Sequence, residues 1–247
     1  MKGIILMDLI KVKGIVIKEI QYKDNDKIIT ILTDKLGKIS CIAKGAKKTN
    51  SPILANCQYL VFSEFVLYKN KSFYYINSAF VIDTFYNLKI DLDKLQMIFE
   101  LTKLLQNVTD ENQDTTDILK LFLNTLYIID KLNKNNDLII STFKIKLFCI
   151  LGFTPRIDKC GKCGQALNKL NINDIIYYDY VRNIFCCINC IEGNDKRRYI
   201  KISKVTLIAI EYIMKSDIKK VFAFELKNVE GLKLFSQVYS DSMTDGI

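Results

Sequence analysis

The first 82 residues alternate between apolar and polar positions with the two-residue period of β-strands. The pattern predicts five short strands, with the last two forming a hairpin across Lys69–Lys71. The predicted strands are Leu9–Ile20, Lys27–Thr33, Lys38–Ala43, Tyr59–Tyr68 and Ser72–Ile82. Five short strands in about eighty residues are typical of a small closed barrel of the OB type.

Beyond residue 83 the apolar spacing changes to that of amphipathic helices. The predicted helices are Leu92–Val108, Thr115–Leu132, Asp137–Leu151, one that follows Ser203, and one from about Val229 to Ser242. Gly152 and Pro155 end the third helix, as a C-terminal glycine and a downstream proline commonly do. Ser203 is a suitable N-cap for the fourth.

Length and composition allow two or three domains in a globular chain. The sequence has 247 residues, of which 49% are apolar and 26% are charged, and both fractions are ordinary for folded proteins. The elements divide into an OB-fold barrel at 1–82, a helical domain formed by 83–155 and 194–247, and an insertion at 156–193. The predicted fold class is therefore α+β multidomain: a β-barrel, an α-helical bundle and a four-cysteine insertion.

Two short cysteine pairs mark the insertion. Each has the form Cys-x2-Cys, and 23 residues separate the pairs. Four thiolates presented in this way can surround one zinc ion tetrahedrally and leave no open position for catalysis. Because the chain has no histidine, a transition-metal site must draw mainly on sulfur. The predicted ligands of one structural zinc ion are Cys160, Cys163, Cys187 and Cys190.

Two alternatives to this zinc site stay open at the level of sequence. Cys186 stands beside Cys187 and could replace it, although Cys187 preserves the two-residue spacing. A redox Cys-x-x-Cys pair is the second alternative, but no thioredoxin-like βαβ pattern surrounds these cysteines. The other thiols, Cys41, Cys57 and Cys149, lie within apolar patterns and are predicted to be buried.

Positive charge is concentrated near the start of the chain. The formal net charge is +9, and residues 1–80 carry +7 of it. Such a field indicates a polyanionic partner: nucleic acid, an acidic membrane or an acidic protein tail. Lys44, Lys47 and Lys48 fall in a loop after a predicted strand, where lysines can neutralise phosphates without selecting a sequence. The loop therefore favours nucleic acid.

Aromatic residues accompany these lysines in the sequence. Tyr68, Phe73, Tyr74 and Tyr75 lie on the predicted hairpin. On an exposed barrel face such rings could stack on unpaired bases. Alternate aromatics on a strand more often point into a core, and the sequence alone leaves both interpretations open.

The sequence also lacks the signatures of several functional classes. It contains no phosphate-binding loop of the Gly-x4-Gly-Lys-Ser/Thr type, and without histidine it cannot form Ser-His-Asp or Cys-His catalytic groups. No uncharged run approaches the length that crosses a bilayer, and no signal-peptide pattern is visible. We expect a cytoplasmic protein that is not an enzyme, with reduced thiols.

Several of these motifs together resemble one known family. They are Val12–Val16, Gly37–Lys38, Lys44–Lys48, and Leu151–Pro155 leading into Cys160–Gly164. In this order they are similar to the bacterial recombination mediator family RecO. The similarity extends from about Leu9 to Tyr239, and the combination is specific although each motif alone is weak.

The resemblance implies a non-enzymatic protein of DNA repair and recombination. Members of the family have an OB-fold, a helical bundle and a zinc finger, and they bind single- and double-stranded DNA and anneal complementary strands. They act with RecR and with the C-terminal tail of the single-strand-binding protein to load RecA, in the cytoplasm at the nucleoid. By position, the resemblance implies that Lys13, Lys44, Lys47 and Lys48 contact DNA and that the four cysteines hold zinc.

One departure and one alternative accompany the resemblance. Many members carry a Gly-Gly pair before the second cysteine pair, where this chain has Asn183 and Ile184, so the turn must be formed differently. The alternative function is an RNA-binding OB/zinc-ribbon module in transcription or translation, for which the same charge and fold would serve. A thiol oxidoreductase is a third class, for which we expect no activity.

Overall fold

The computed structural model describes residues 8–132, 134–171, 174–191 and 196–244. The N-terminal residues 1–7 and the ends of the predicted insertion and helical domain, at 192–193 and 245–247, lie outside this part. The strands are β1 (Leu9–Tyr22), β2 (Asp26–Thr33), β3 (Lys38–Ala43), β4 (Phe62–Asn70), β5 (Phe73–Asp83), β6 (Ile175–Asp179), β7 (Ile184–Cys187) and β8 (Tyr199–Ser203). The α-helices are α1 (Tyr86–Lys89), α2 (Leu92–Val108), α3 (Thr116–Lys131), α4 (Asn136–Ile150), α5 (Lys204–Lys215) and α6 (Glu230–Thr244).

The first five strands form a closed barrel in the order β1-β2-β3-β5-β4. Strand β1 pairs with β2 along its second half and with β4 along its first half, which closes the barrel. A β-bulge between Val16 and Lys18 lies where β1 passes from one partner to the other, and bulges bend a strand in this way. The β3–β5 pair is parallel and all other pairs are antiparallel. The predicted OB-like barrel is confirmed.

Alternation along the strands fills the barrel interior. Inward positions such as Val12, Ile29, Cys41 and Phe65 are at most 3% exposed and form one apolar cluster. Burial raises the pKa of the Cys57 thiol to about 12, so this cysteine stays protonated and packs as a small apolar group. The cluster also contains Cys41, and the prediction that these two thiols are buried is confirmed. Cys149 is only partly buried.

Strand β4 begins three residues later than the sequence pattern predicts. Leu60 has a positive φ of 62°, which a strand does not tolerate. Its N–H donates to the carbonyl of Val16 (2.9 Å), and the N–H of Val16 donates to Val61 (3.1 Å). These two bonds hold residues 60–61 against the bulge of β1 and satisfy its backbone groups.

Residues 110–115, between α2 and α3, hydrogen-bond to the turn that joins β2 to β3, and we call this set of contacts the clasp. The N–H of Lys38 donates to Asp110 (3.0 Å), and the N–H of Asn112 donates to Leu36 (2.9 Å). The buried Thr115 hydroxyl donates to the carbonyl of Thr33 at 2.6 Å. At Gly37 the backbone has φ = +71°, and an added Cβ would overlap the carbonyl oxygen of Asp110. Glycine is therefore required both for conformation and for close approach.

The second half of the chain contains a three-stranded antiparallel sheet in the order β7-β6-β8, with helices α4, α5 and α6. A cluster of rings joins the sheet to α6: Tyr178 lies 4.8 Å from Phe235 and 5.1 Å from Phe185 between ring centroids. Ser203 caps α5 as predicted, since its hydroxyl accepts the N–H of Thr206. Helix α2 has the predicted bounds, and α3, α4 and α6 differ from prediction by one or two residues at their ends.

The chain divides between Lys120 and Leu121 into two compact units. Helix α2 therefore belongs to the same unit as the barrel. The three-part division predicted from the sequence stays a prediction. Within the described ranges, none of the helices is both long and apolar enough to cross a lipid bilayer.

The clasp at Gly37 predicts a specific loss of stability. We expect Gly37→Ala to lower the free energy of unfolding by roughly 2–4 kcal/mol, because left-handed strain adds to the loss of clasp hydrogen bonds. Gly45→Ala is the matched control, since Gly45 also has a positive φ (+68°) but its Cβ would come no closer than 3.8 Å to Lys48. Urea unfolding measures both. Equal losses in the two variants would contradict a role for the contact with Asp110.

Candidate metal centre and nucleic-acid interface

The first cysteine pair lies in a tight turn. The N–H of Cys160 donates to Gln165 (2.8 Å), and the N–H of Gly164 returns to the carbonyl of Cys160 (3.0 Å). Gly164 has φ = +77°, a conformation that glycine adopts at little cost. The turn therefore brings the sulfurs of Cys160 and Cys163 to the same side.

The second cysteine pair follows the sheet directly. Cys187 is the last residue of β7, and a single 3-10 turn, Ile188–Cys190, carries Cys190 back toward it. The N–H of Gly161 donates to the carbonyl of Phe185 at 2.8 Å. This bond joins the first pair to the strand that presents the second.

Four sulfur atoms converge where these two turns meet. The Sγ atoms of Cys160, Cys163, Cys187 and Cys190 all lie within 4.8 Å of one another. Those of Cys163 and Cys187 are 3.7 Å apart. In a tetrahedral site with Zn–S bonds of ~2.3 Å the sulfurs are ~3.8 Å apart. The four predicted cysteines are thus brought together in an arrangement that could hold a metal ion.

Electrostatics at this cluster favour one thiolate before any ion binds. Burial opposes ionisation of Cys160, but backbone N–H groups of Cys163, Cys187 and Lys162 face its sulfur and lower its pKa to about 6. Donors that stabilise a thiolate also orient it as a ligand. Burial and the neighbouring sulfurs raise the pKa of Cys187, so a cation is needed for all four to ionise together.

Cys186, the alternative ligand, lies outside this group of four. It pairs with Tyr177 of β6, whereas Cys187 pairs with Ile176. Successive residues of a strand point to opposite faces, so the two cysteines diverge. Burial raises the pKa of Cys186 to about 12. The geometry favours Cys187, as the two-residue spacing does.

Asn183 ends the turn between β6 and β7, and Ile184 begins β7. Asn183 has φ = 52°, and asparagine tolerates this left-handed region better than most residues. Its side chain is held on both sides, since the Tyr178 hydroxyl donates to Oδ1 (2.8 Å) and Nδ2 donates to the carbonyl of Phe153 (3.0 Å). Ile184 packs against Gly161, where an added Cβ would lie 2.7 Å from Cβ of Ile184.

Two cations of this region have structural contacts that the sequence pattern did not indicate. Arg198 and Lys162 both donate to the hydroxyl of Tyr199, at 2.7 and 3.1 Å. Arg198 Nε also lies 3.3 Å from the buried carboxylate of Asp179. The Lys162 contact ties the first cysteine turn to the start of β8, and no local spacing in the sequence pairs residues 37 positions apart.

The three loop lysines are all exposed and follow the end of β3. The loop backbone is fixed by the neighbouring turn, because Asp26 accepts the N–H of Gly45 (2.8 Å) and the N–H of Lys47 donates to Asn25 (3.0 Å). The ammonium of Lys44 lies 5.0 Å from the ring centroid of Tyr75, a cation–π distance. Lys44, Lys47 and Lys48 thus form one cationic group on a held loop.

Lys13 has different surroundings. It is exposed on β1, where its cross-strand neighbour is Glu64. Glu64 also pairs with Lys11 at 2.8 Å, and the carboxylate of Asp34 accepts the N–H of Lys13. Two acids therefore weaken the positive field near Lys13, which stands apart from the loop lysines along the barrel.

The four aromatic residues of the hairpin differ in which side of the barrel wall they face and in how exposed they are. Tyr74 points into the core and is 3% exposed, whereas Phe73 is 54% exposed. Tyr68 and Tyr75 lie directly opposite each other on the outer face, with ring centroids 5.2 Å apart and planes inclined by 13°. Tyr74 is thus a core residue, while Tyr68 and Tyr75 form a half-buried stack beside Lys44.

Comparison with known proteins covers most of the chain. Residues 7–85 match the family model "Recombination protein O N terminal", and residues 90–238 match "Recombination protein O C terminal". The DNA repair protein RecO of Acetivibrio thermocellus is 38% identical over 89% of this chain and 85% of its own length. The RecO proteins of Caldicellulosiruptor saccharolyticus and Clostridium novyi are 34% and 31% identical, over 87% and 90% of this chain and 84% and 83% of their own.

The two family models divide the chain near the end of β5, where the barrel strands finish. The barrel, the helices and the converging cysteines all agree with what the sequence resemblance implied. This chain belongs to the RecO family of DNA repair and recombination proteins.

Proposed function

We propose that this protein is a non-enzymatic recombination mediator that binds single- and double-stranded DNA and anneals complementary strands. The observation that carries the proposal is the group of exposed lysines on the loop after β3, held in place by the turn at Asp26. Two phosphate backbones repel each other, and a cationic surface that binds both lowers that cost. Family membership supports a role in DNA repair.

The contribution of individual lysines follows from their neighbours. Lys44, Lys47 and Lys48 are the proposed main phosphate contacts, because their loop presents them together. Lys13 is a weaker proposed contact, since Glu64 and Asp34 lie beside it. Each such contact releases condensed counterions and adds to affinity without reading sequence.

The proposed metal is one structural zinc ion held by the four cysteines. A closed four-sulfur site suits zinc, and it stabilises a fold rather than activating water. When bound, the ion would join the turn at Cys160–Cys163 to the end of β7 and so stiffen the edge of the sheet. The DNA-binding surface would not require it.

The proposed partners are those that the family resemblance implies. The protein would act at the nucleoid in the cytoplasm, with RecR and the C-terminal tail of the single-strand-binding protein, to help RecA onto coated single strands. RNA binding is the alternative, and strand annealing distinguishes the two because a mediator anneals DNA whereas an RNA module prefers structured RNA. A thiol oxidoreductase would reduce disulfides in an insulin assay, and we expect no reduction.

The electrostatic proposal predicts a steep dependence of affinity on salt. For about six phosphates contacted on a single strand, log K should fall against log salt with a slope of about −4. The measurement is a fluorescence-anisotropy titration of a mixed-sequence single strand at several salt concentrations. A flat dependence would rule out the electrostatic mechanism.

Replacement of the loop lysines should weaken binding to all sequences alike. We expect the triple variant Lys44→Ala, Lys47→Ala and Lys48→Ala to make the salt slope about 2 units shallower, since each lost single-strand contact contributes ~0.7. Lys13→Ala is the comparison and should change affinity and slope less, because acids already surround Lys13. If the triple variant binds as the unaltered protein does, the DNA site lies elsewhere.

The zinc proposal predicts one equivalent of zinc in the purified protein. Elemental analysis measures the amount and separates zinc from iron, the other metal common in four-sulfur sites. Cys160→Ser should lose the ion and loosen the region around the two cysteine turns, because binding and local folding are coupled. Cys186→Ser is the control and should keep about one equivalent. Less than a tenth of an equivalent in the unaltered protein would refute the site.

Annealing itself is tested with two complementary strands coated with single-strand-binding protein. We expect this chain to accelerate duplex formation, and the triple lysine variant to lose most of that acceleration, since annealing requires two strands on one cationic surface. The readout is the quenching of a fluorophore on one strand by a quencher on the other. No acceleration at low salt would contradict the annealing proposal even if DNA binding were intact.

A further inference from the structure

The outer face of the barrel carries a row of side chains that crosses three strands and ends just beyond a fourth. Strand register places Leu9 of β1 opposite Tyr68 of β4, and Tyr68 opposite Tyr75 of β5. The ammonium of Lys44, just beyond the end of β3, completes the row at 5.0 Å from the Tyr75 ring. We call Leu9, Tyr68, Tyr75 and Lys44 the tyrosine row. It spans three strand spacings, or about 14 Å.

Tyr75 has both an aromatic and a cationic neighbour. Strand β5 lies between β4 and β3 in the barrel, so Tyr68 approaches from one side and Lys44 from the other. Tyr68 stacks at 5.2 Å with nearly parallel planes. The ammonium of Lys44 therefore lies next to an aromatic pair.

Tyr68 is half-buried, with Tyr75 stacked on one side of its ring and Leu9 as its cross-strand neighbour on the other. Among the described residues, Tyr75 is the only ring stacked on Tyr68. On its β1 side the neighbour is Leu9, whose side chain is aliphatic and 60% exposed. A flat apolar ligand that packs over Leu9 and the exposed part of Tyr68 would displace no core residue, because the barrel interior is filled from the opposite side of the strands.

The charges around the row select the kind of flat ligand. Lys44, Lys47 and Lys48 lie at one end, and Lys13 lies farther along β1 beyond Lys11. Glu64, an acid on this outer face, is paired with Lys11 at 2.8 Å, and Glu111 is paired with Lys69 at 3.0 Å. A ligand with a planar apolar part and attached anionic groups fits this arrangement. An unpaired nucleotide has that chemistry.

We infer that the tyrosine row is a contact for unpaired DNA, in which a base packs against Tyr68 and Leu9 while the loop lysines, at the other end of the row, hold phosphates of the same strand. In a duplex the base faces are already stacked on one another, so the ring gains contact only with an unpaired strand. The row thus gives the barrel a preference for single strands that lysines alone would not supply. This inference rests on the proposed DNA-binding function and identifies which form of DNA that surface prefers.

A tryptophan reporter tests the stacking directly. The chain contains no tryptophan, so Tyr68→Trp introduces a single indole into the full-length protein. We expect oligothymidylate to quench its fluorescence, because stacked bases quench indole, and we expect little quenching with a duplex of equal length. Heparin, a polyanion without bases, should bind and leave the emission unquenched.

A second reporter and a pair of substitutions complete the test. Tyr127→Trp places the indole on α3 at a residue that is 56% exposed, and it should not respond to oligothymidylate. Tyr68→Leu should lower affinity for a single strand roughly tenfold and leave duplex affinity and the salt slope unchanged. Tyr68→Phe keeps the ring and should bind as the unaltered protein does, which also shows that the position tolerates substitution.

The outcomes separate this inference from the function on which it rests. Steep salt-dependent binding, combined with quenching that is equal for oligothymidylate, duplex and heparin, would overturn the tyrosine row and leave the cationic surface intact. An equal loss of single-strand and duplex affinity in Tyr68→Leu would also overturn it. Absence of salt-dependent DNA binding in the unaltered protein would remove the proposed function and this inference together.

Discussion

The closure of the barrel by β1 is the constraint on which the outer surface depends. One long strand pairs with β2 at one end and with β4 at the other, and the bulge between Val16 and Lys18 lets it turn between them. A shift of one residue in either pairing would exchange inward and outward side chains along the whole strand. The apolar cluster inside therefore determines which lysines and tyrosines face solvent.

The second half of the chain depends on contacts of another kind. In the described part of the chain its small sheet has three short strands, and a sheet of this size needs an apolar face packed against other elements to be stable. Rings of β6, β7 and α6 cover one side of it, and the two cysteine turns meet at the end of β7. Ile184 fits against Gly161 at this point, so the first residue of β7 and the glycine of the first cysteine turn are sterically linked.

The sequence predicted the features that depend on neighbouring residues. It did not predict the features that depend on contacts between distant segments of the chain. Strands and helices were found nearly at the predicted residues because alternation and helical spacing are local patterns. The convergence of four cysteines was predictable for the same reason, since the spacing within each pair is local. Which of Tyr74 and Tyr75 points into the core could be determined only from the register of the hairpin. The predicted start of β4 was three residues too early, because the N–H of Leu60 donates to the carbonyl of Val16, more than forty positions earlier in the chain.

The clasp between the β2–β3 turn and residues 110–115 joins parts of the chain that are far apart in sequence. Its hydrogen bonds satisfy backbone groups that the barrel strands leave unpaired. A fragment ending with β5 would expose those groups and lose the partner of Gly37. The barrel strands are consequently not a complete folding unit. A fusion protein that contains this barrel must also include α2 and the start of α3, because otherwise the turn between β2 and β3 lacks its hydrogen-bond partners.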